Sequence, residues 1–192
     1  MDIVILLYGL PSTGKYTIAK KLAEEYNLHL IDNHYFNNIV YPYIDTTIEC
    51  VKDIAPSVYK IRDIFFDIVS RHKLNDNKGF VFTNVLLDIE EDRESFKSLT
   101  EFSNKLGYKF IPIELTCNED VISNRINTQE RKDRHKLVDF EIWKKFVNST
   151  SFMKIENGYQ VNTSYKSIEE TIKEILKIID VEKQKSTWHF LG

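Results

Sequence analysis

The chain has 192 residues, which is enough for one domain with a full hydrophobic core and short for two. Its composition, with 42% hydrophobic and 29% charged residues, is ordinary for a soluble globular protein. The net charge of −3 gives no overall attraction to nucleic acid, although a local basic patch could still bind it. Cys50 and Cys117 are too few for a disulfide framework, and the first apolar run, about six residues, is too short for a signal peptide or a membrane span. We therefore expect a cytoplasmic protein without a membrane partner.

The first predicted elements are a buried strand, a glycine-bounded turn and a helix. The apolar run Ile3–Tyr8 predicts the strand, and apolar residues at helical spacing from Ile18 to Tyr26 predict the helix. Between them, Gly9 and Gly14 can adopt backbone angles that crowd other residues, so the loop can wrap around a phosphate with its amide N–H groups inward. The helix adds its positive N-terminal end, and Lys15 supplies a charge for the outer phosphates. The pattern predicts a phosphate-binding loop, with a plain glycine turn as the alternative.

One position departs from the commonest form of such a loop. Tyr16 follows Lys15, and the hydroxyl that usually adjoins the lysine comes one residue later, at Thr17. In most loops of this kind the adjacent hydroxyl binds Mg²⁺ directly. Either metal binding is impaired here, or Mg²⁺ is held through water and other groups. The order Gly-Lys-x-Thr resembles that of adenylate-kinase-like enzymes, which favours the second interpretation.

The second predicted strand, Leu28–Ile31, ends at the polar residues Asp32, Asn33 and His34. Ligands of parallel sheets bind at the carboxyl ends of the strands, so Asp32 is expected to face the γ-phosphate from the acceptor side. There it could orient or deprotonate an attacking hydroxyl, or hold a Mg²⁺-bound water. The alternative is that Asp32 only caps the next helix. His34 could touch substrate or be an ordinary residue at a helix start.

A helical stretch follows, and we expect residues of about 34–75 to bind the acceptor. Thr46 and Glu49 form a capping box, and Pro56 is expected to interrupt the helix. Apolar residues then continue at helical spacing, at Val58, Ile61, Phe65 and Ile68. Arg62, in the same stretch, could bind an anionic acceptor or be an ordinary exposed helix arginine.

The third predicted strand, Phe80–Phe82, ends in Thr83 and Asn84. Many phosphate-loop proteins carry a metal-positioning aspartate at the end of this strand. Thr83 takes that position here, so Asp32 is the better candidate on the metal side. Thr83 and Asn84 could offer hydrogen bonds to an acceptor, or they could close the strand as a polar turn.

Strand and helix signals keep alternating towards the C-terminus. A helix is expected to end at Gly107, a strand spans Phe110–Leu115, and another helix begins after Asn118. A basic segment follows, with Arg125, Arg131, Lys132, Arg134 and Lys136. Phosphoryl transfer needs cations around the developing charge, and a hinged flap could supply them and exclude water. We therefore expect a lid at about residues 126–139, with a solvated charged face as the alternative.

The last signals complete the predicted fold. Asp139 caps a helix, Tyr159–Asn162 is a strand, and Ser167 and Glu170 form a capping box before a final amphipathic helix. Five strands with helices between them predict a single α/β domain, with a parallel sheet covered on both faces.

The whole chain resembles the small-molecule and nucleoside-monophosphate kinase group of phosphate-loop proteins, especially its shikimate- and gluconate-kinase-like members. Four segments carry the resemblance: Gly9 to Thr17, Leu30 to His34, Leu115 to Cys117 with Arg125 and Arg131, and Val161 to Thr163 leading into Ser167 to Glu170. An uncharacterised set of kinase-like ATPases is also similar to this chain, through the combination of Asp32-Asn33-His34 near Asn37-Asn38, the run from Val81 to Val85, and the segment from Arg131 to Asp139. The resemblance implies a three-layer α/β/α P-loop NTPase fold with a five-stranded parallel sheet, a helical acceptor subdomain and a lid.

The residues themselves and the resemblance together give expected roles for individual residues, with ATP and Mg²⁺ as cofactors. ATP would be bound by Gly9, Pro11, Ser12, Thr13, Gly14, Lys15, Tyr16, Thr17, Arg125 and Thr163. The catalytic residues would be Lys15, Asp32, Arg131 and Arg134. The acceptor would contact Asp32, Asn33, His34, Arg62, Thr83 and Asn84. Mg²⁺ would be held by Thr17 and Asp32 through water.

The leading functional hypothesis is a kinase that moves the γ-phosphate of ATP to a hydroxyl or phosphate of a small molecule. Thr83 and Asn84 stand where shikimate kinases have a Thr-Gly-Gly segment, which speaks against shikimate itself as the acceptor. A non-catalytic or weakly hydrolysing ATP-binding protein is the alternative, and Tyr16 would be one of its signs. A kinase acting on nucleic-acid ends would use similar parts, but the net charge weighs against it. The sequence leaves the acceptor and the oligomeric state open.

Overall fold

The computed structural model describes residues 2–44, 48–72, 78–134 and 136–188, without the side chains of 48–52 and 186–188. Its centre is one parallel sheet of five strands: β1 (Ile3–Tyr8), β2 (His29–Asp32), β3 (Gly79–Asn84), β4 (Lys109–Thr116) and β5 (Tyr159–Asn162). The strand order is β2-β3-β1-β4-β5. Because all neighbouring pairs are parallel, the carboxyl ends of the strands open on one edge of the sheet, as the sequence predicts.

Helices connect the strands in the described part of the chain. They are α1 (Lys15–Tyr26), α2 (His34–Asn37), α3 (Ile48–Ser70), α4 (Glu90–Leu106), α5 (Glu119–Arg125), α6 (Gln129–Asp133), α7 (Phe140–Asn148) and α8 (Ile168–Trp188). A short 3-10 turn, Tyr41–Tyr43, lies between α2 and α3. No helix among the described residues is both long and apolar enough to cross a membrane.

The hydrophobic core has two halves, one on each face of the sheet. The odd-numbered residues of β1 pack in a cluster with α1 and α8, and its even-numbered residues pack in a cluster with α3 and α4. The second cluster is rich in aromatic rings; Phe66 of α3 and Phe102 of α4 stack with their centroids 4.5 Å apart. The molecule therefore has the three layers expected from the sequence.

Several predicted helix boundaries are found where the sequence places them. Asp139 accepts a hydrogen bond from the backbone N–H of Ile142 at 2.9 Å, and Gly107 ends α4 in the left-handed conformation. Ser167 and Glu170 exchange both hydrogen bonds of a capping box, at 2.8 and 3.1 Å. The predicted capping box of Thr46 and Glu49 lies outside the described residues.

Two predictions about α3 are wrong. The helix runs through Pro56, so this proline does not interrupt it, although its missing N–H removes one hydrogen bond. The expected apolar face is wrong in part. Val58 is buried and Phe65 packs against the core, as expected, but Ile68 is 48% exposed. Arg62 and Phe66 are buried instead, because they lie four and eight residues after Val58 on the face that meets the sheet and α4.

Candidate active site

The loop after β1 has the backbone that the two glycines were expected to permit. Gly9 has φ +133°, and a Cβ there would lie 2.3 Å from the carbonyl oxygen of Leu115 in β4. Gly14 has φ +93° and occupies the N-cap of α1. Ser12 also has a positive φ, of 71°. The chain therefore turns tightly at the carboxyl end of the central strand and delivers its amides to the start of α1.

One hydrogen bond within this loop and two from more distant residues hold it in place. The Thr13 hydroxyl donates to Leu10 O at 3.0 Å, and the Thr163 hydroxyl donates to Thr13 O at 3.0 Å. The buried indole Nε1–H of Trp143, in α7, donates to Pro11 O at 3.1 Å. Sequence reasoning did not connect Trp143 to the loop, because only the folded chain brings these distant residues together.

Lys15 has no anionic partner of its own in the loop. Its Nζ donates to Gly9 O at 2.8 Å and to Leu10 O at 2.6 Å. Burial lowers the pKa of Lys15 to about 7, and the positive charges of Lys136 and Arg131 lower it further, while Asp32 opposes them. A half-buried ammonium whose hydrogen bonds go only to carbonyls would gain from an added phosphate.

Asp32, at the end of β2, is 1% exposed and receives four hydrogen bonds. Its Oδ1 accepts from the Thr83 hydroxyl at 2.8 Å and from the His34 backbone N–H at 3.3 Å. Its Oδ2 accepts from Arg134 Nη2 at 2.7 Å and from Lys136 Nζ at 3.0 Å. Burial raises the pKa of Asp32, but Lys136 outweighs it with help from His34 and Thr83, so the net pKa is lowered and the carboxylate is ionised.

The two cations that bind Asp32 also lie over the ring of Tyr16. Arg134 Cζ is 3.2 Å from the ring centroid, and Lys136 Nζ is 4.8 Å from it. Tyr16 stands where most such loops have Ser or Thr, and nothing in the sequence indicated that its ring would contact these two cations. Lys136 was recognised only as part of the basic segment, because nothing in the sequence separates it from Lys132.

The predicted lid arginines lie in different surroundings. Arg134 reaches Asp32, whereas Arg131 bends back and donates from Nε and Nη2 to Leu137 O, at 3.1 and 2.7 Å. Burial lowers the pKa of Arg131, with Glu130 opposing it. Arg131 lies close enough to Lys15 to lower its pKa, so both arginines belong to the positively charged surroundings of the loop.

His34 is the second titratable group beside Asp32. Burial is the main cause that lowers its pKa, to about 4; the charge of Asp32 opposes this, and the charges of Lys136, Arg134 and Arg131 lower the pKa further. Its imidazole is therefore neutral at pH 7. Its buried Nδ1 has no hydrogen-bond partner among the described residues.

Arg62 is 5% exposed, so its interpretation as an ordinary exposed arginine is wrong. Its Nη1 donates to the Ser95 hydroxyl at 2.5 Å, and its guanidinium lies 4.8 Å from the ring centroid of Tyr59. The buried Nε has no partner among the described residues. Burial lowers the pKa of Arg62, against the opposing charge of Asp63.

A narrow cleft lies beside Arg62 at the carboxyl ends of β2 and β3. Its polar lining is formed by Asn33, Arg62, Thr83 and Asn84, and apolar residues of the sheet, α3 and α4 complete it. Thr83 is turned towards Asp32 by its hydrogen bond. The side-chain oxygen of Asn84 accepts from the Val85 backbone N–H at 2.9 Å, which is the local turn interaction considered as its alternative role.

The remaining predicted nucleotide residues lie on the other side of the loop. Arg125, at the end of α5, donates from Nη1 to the Thr163 hydroxyl at 3.2 Å and from Nη2 to Thr163 O at 3.1 Å. Because the same hydroxyl donates to Thr13 O, these contacts join the ends of β4 and β5 to the loop. Thr17, one residue beyond Tyr16, is exposed in the first turn of α1.

Comparison with known proteins relates this architecture to solved structures. No protein-family model matches the chain, and no curated protein sequence matches it. The chain is similar to a sugar kinase from Janibacter sp. HTCC2649, with a TM-score of 0.58 and 17% identity over 94% of this chain and 95% of that one. It is similar to a gluconokinase from Sinorhizobium meliloti 1021, with a TM-score of 0.58 and 11% identity over 97% of both chains.

A shikimate kinase from Aquifex aeolicus gives a TM-score of 0.50 and 16% identity, over 95% of this chain and 99% of that one. The likeness extends over nearly the whole of each chain while sequence identity is low. The protein therefore has the P-loop kinase-like fold, as its resemblance to that group implied.

Proposed function

We propose that the protein is an ATP-dependent phosphotransferase that moves the γ-phosphate of ATP to a hydroxyl or phosphate of a small molecule. The observation that carries this proposal is the positive charge gathered around one buried carboxylate beside the glycine loop. Burial lowers the pKa of Lys15, Arg131 and Lys136 alike, and Arg134 adds a further charge at Asp32. A polyphosphate would supply the negative charge that this site lacks.

The residues present fit a nucleoside triphosphate with Mg²⁺. The loop amides and the start of α1 would hold the phosphates, and Lys15 would exchange the carbonyls of Gly9 and Leu10 for phosphate oxygens. The described residues contain no cluster of three metal-ligating side chains, so Mg²⁺ would take most of its ligands from phosphate and water. Thr17 and Asp32 would contribute through water. Bound there, Mg²⁺ would neutralise charge on the transferred group.

The acceptor would enter at the cleft by the ends of β2 and β3, which as it stands has room for about one water molecule and would have to widen. Arg62 supports an anionic acceptor, because it lines this mostly apolar cleft and its buried Nε has no hydrogen-bond partner among the described residues. Asn33 and the neutral ring of His34 would add hydrogen bonds to acceptor hydroxyls. Residues of about 34–75 would thus form the acceptor side, and residues of about 126–139 would form the lid.

Asp32 would align the acceptor hydroxyl between this cleft and the phosphates. Its ionised carboxylate can accept the hydroxyl proton, and Thr83 fixes its orientation through Oδ1. Arg134 and Lys136 would turn from Oδ2 to the transferred phosphoryl group and stabilise its charge. Arg125 and Thr163 would border the base of the nucleotide.

One observation favours the alternative of a nucleotide-binding protein with little or no catalysis. Both oxygens of Asp32 are occupied by hydrogen-bond donors, so the carboxylate cannot serve an acceptor until Arg134 and Lys136 leave it. The two functions differ in one measurable respect. A kinase releases ADP faster when the acceptor is present, whereas a nucleotide-binding protein does not.

The test is a screen for acceptor-stimulated ADP release, run with matched pairs of carboxylated and neutral sugars, polyols and nucleosides. We expect stimulation by an anionic member of a pair. Arg62→Met should raise the KM for that acceptor by roughly tenfold or more while leaving the Kd for ATP unchanged, since Arg62 lies on the acceptor side. Calorimetric ATP binding without stimulation by any compound would instead support the nucleotide-binding alternative.

A further inference from the structure

The ring of Tyr16 contacts both of the cations that bind Asp32. Tyr16 lies in the first turn of α1, directly after Lys15, while Arg134 and Lys136 lie more than a hundred residues further along the chain. The distances from the ring centroid, 3.2 Å to Arg134 Cζ and 4.8 Å to Lys136 Nζ, are within the range of cation–π attraction. The ring therefore connects the phosphate loop to the two lid side chains.

Arg134, Lys136 and Asp32 are shielded from water, which strengthens the attraction between the two cations and the Tyr16 ring. The side chains of Arg134, Lys136 and Asp32 are only 20%, 13% and 2% exposed. Two positive charges share the single negative charge of Asp32 in this small volume, so repulsion between them favours an open lid. The negative face of an aromatic ring offsets part of that cost, and its attraction grows as water is excluded.

We propose that Tyr16 is a positioning residue, whose ring holds Arg134 and Lys136 beside the phosphate loop and keeps them there while they pass from Asp32 to the phosphates of a bound nucleotide. The nucleotide part of this inference rests on the proposed function. The positioning of the two cations by the ring does not, because it is argued from the contacts among these side chains alone.

The inferred role explains why the Tyr16 ring lies beside an Asp32 carboxylate whose two oxygens both accept hydrogen bonds. Arg134 and Lys136 occupy Oδ2 of Asp32, so this oxygen is not free to activate water. Phosphates on the loop compete for the same cations and would release Oδ2 to the acceptor. Because Tyr16 adjoins Lys15, Arg134 and Lys136 can change partners without leaving the ring.

The first arm of the test uses the nucleotide-free protein and measures amide hydrogen exchange in the lid peptide, residues 129–139. Tyr16→Leu keeps an apolar side chain but removes the ring, and it should speed lid exchange by roughly three- to thirty-fold. Tyr16→Phe should retain wild-type protection, and pentafluorophenylalanine at this position, which has a similar shape but a reversed ring charge, should lose it. Tyr26→Leu, at the other end of α1, is the matched control and should leave lid exchange unchanged.

A double-mutant comparison separates positioning from general packing. In an Arg134→Ala, Lys136→Ala background, Tyr16→Leu should have no further effect on lid exchange, because the ring then has no cations to hold. Equal effects in both backgrounds, or unchanged exchange in the single Tyr16→Leu variant, would overturn the proposal. If that variant does not fold, Tyr16→Met provides the same comparison.

The second arm measures ATP binding in the presence of Mg²⁺ by calorimetry. Tyr16→Leu should weaken it by a similar factor, and Tyr16→Phe should restore it. If Tyr16→Leu binds ATP as tightly as the wild type although its lid exchanges faster, the proposal that Arg134 and Lys136 pass to the phosphates is wrong. If the wild-type protein binds no ATP while the lid results hold, the proposed function is wrong and the positioning role of Tyr16 stands.

Discussion

Binding of ATP is expected to take up a proton at Lys15, because burial lowers the pKa of this ammonium to about 7 in the nucleotide-free protein. A bound phosphate would stabilise the charged form and return the pKa towards its ordinary value. The uptake should then be about 0.1 proton at pH 6, about 0.5 at pH 7 and about 0.9 at pH 8. ATP affinity should fall about tenfold between pH 6 and pH 8, and about tenfold more for the next pH unit.

Calorimetric titration of ATP with Mg²⁺ in two buffers of different ionisation enthalpy measures this uptake directly. Lys15→Met should remove the uptake, whereas Lys20→Met, an exposed lysine on the same helix, should retain it. Tight ATP binding at pH 8 without proton uptake would show that Lys15 is already charged and would refute the reasoning. Uptake that persists in Lys15→Met would assign the proton to another group.

The same shift in pKa has a consequence for stability. The folded pKa of Lys15 lies below the value of an unfolded lysine, so the unfolded chain binds more protons between about pH 7 and pH 10. The free energy of unfolding of the nucleotide-free protein should therefore rise with pH over this range. Lys15→Met should be more stable than the wild type at pH 7, which urea unfolding at several pH values can measure.

Three further predictions concern the carboxylate, the loop and the lid. Asp32→Asn should lower single-turnover transfer by roughly two to four orders of magnitude while ATP affinity changes far less; a normal rate would reduce Asp32 to a lid anchor. Because the pKa of Asp32 is lowered, its contribution to stability is present above about pH 4 and lost as the pH falls through its folded pKa. The free energy of unfolding of Asp32→Asn should therefore decrease less at acidic pH than that of the wild type. Gly9→Ala should lower the free energy of unfolding by about 4 kcal/mol or more, since its Cβ would lie 2.3 Å from a β4 carbonyl oxygen. Gly14→Ala, whose Cβ would have no atom within 4 Å, should lower it by only about 1–2 kcal/mol through backbone strain. Similar melting temperatures for the two variants would contradict this. Arg134→Ala should lower turnover more than ATP affinity and more than Arg131→Ala does, because Arg134 reaches Asp32; the opposite order in steady-state assays would place Arg131 on the phosphates.

Local patterns in the sequence were sufficient for the strands, the loop and several helix ends. The run Ile3–Tyr8 is apolar at every position because β1 is covered on both faces, and the capping box of Ser167 and Glu170 depends only on residues three apart. The loop was recognisable for the same reason, since Gly9 and Lys15 belong to one short segment. Such features need no knowledge of the rest of the fold.

Features that depend on contacts between distant segments were missed. The role of Tyr16 depends on Arg134 and Lys136, and the burial of Arg62 depends on Ser95 of a different helix. Helical spacing alone suggested a face centred on Ile61 and Phe65. The burial of Arg62 was not expected from that spacing, because a charged side chain normally lies at the surface. In the folded chain, a hydroxyl and an aromatic ring from other residues contact its guanidinium.

The most direct test of phosphoryl transfer is to follow the γ-phosphate itself. ATP labelled with ¹⁸O in the γ-phosphate would be incubated with the protein, Mg²⁺ and a protein-free small-molecule extract, and the products analysed by mass spectrometry. The account predicts that at least one small molecule gains a heavy phosphoryl group with the wild-type protein and not with Lys15→Met. Recovery of all the label in ATP and inorganic phosphate, from a protein that binds ATP by calorimetry, would contradict it.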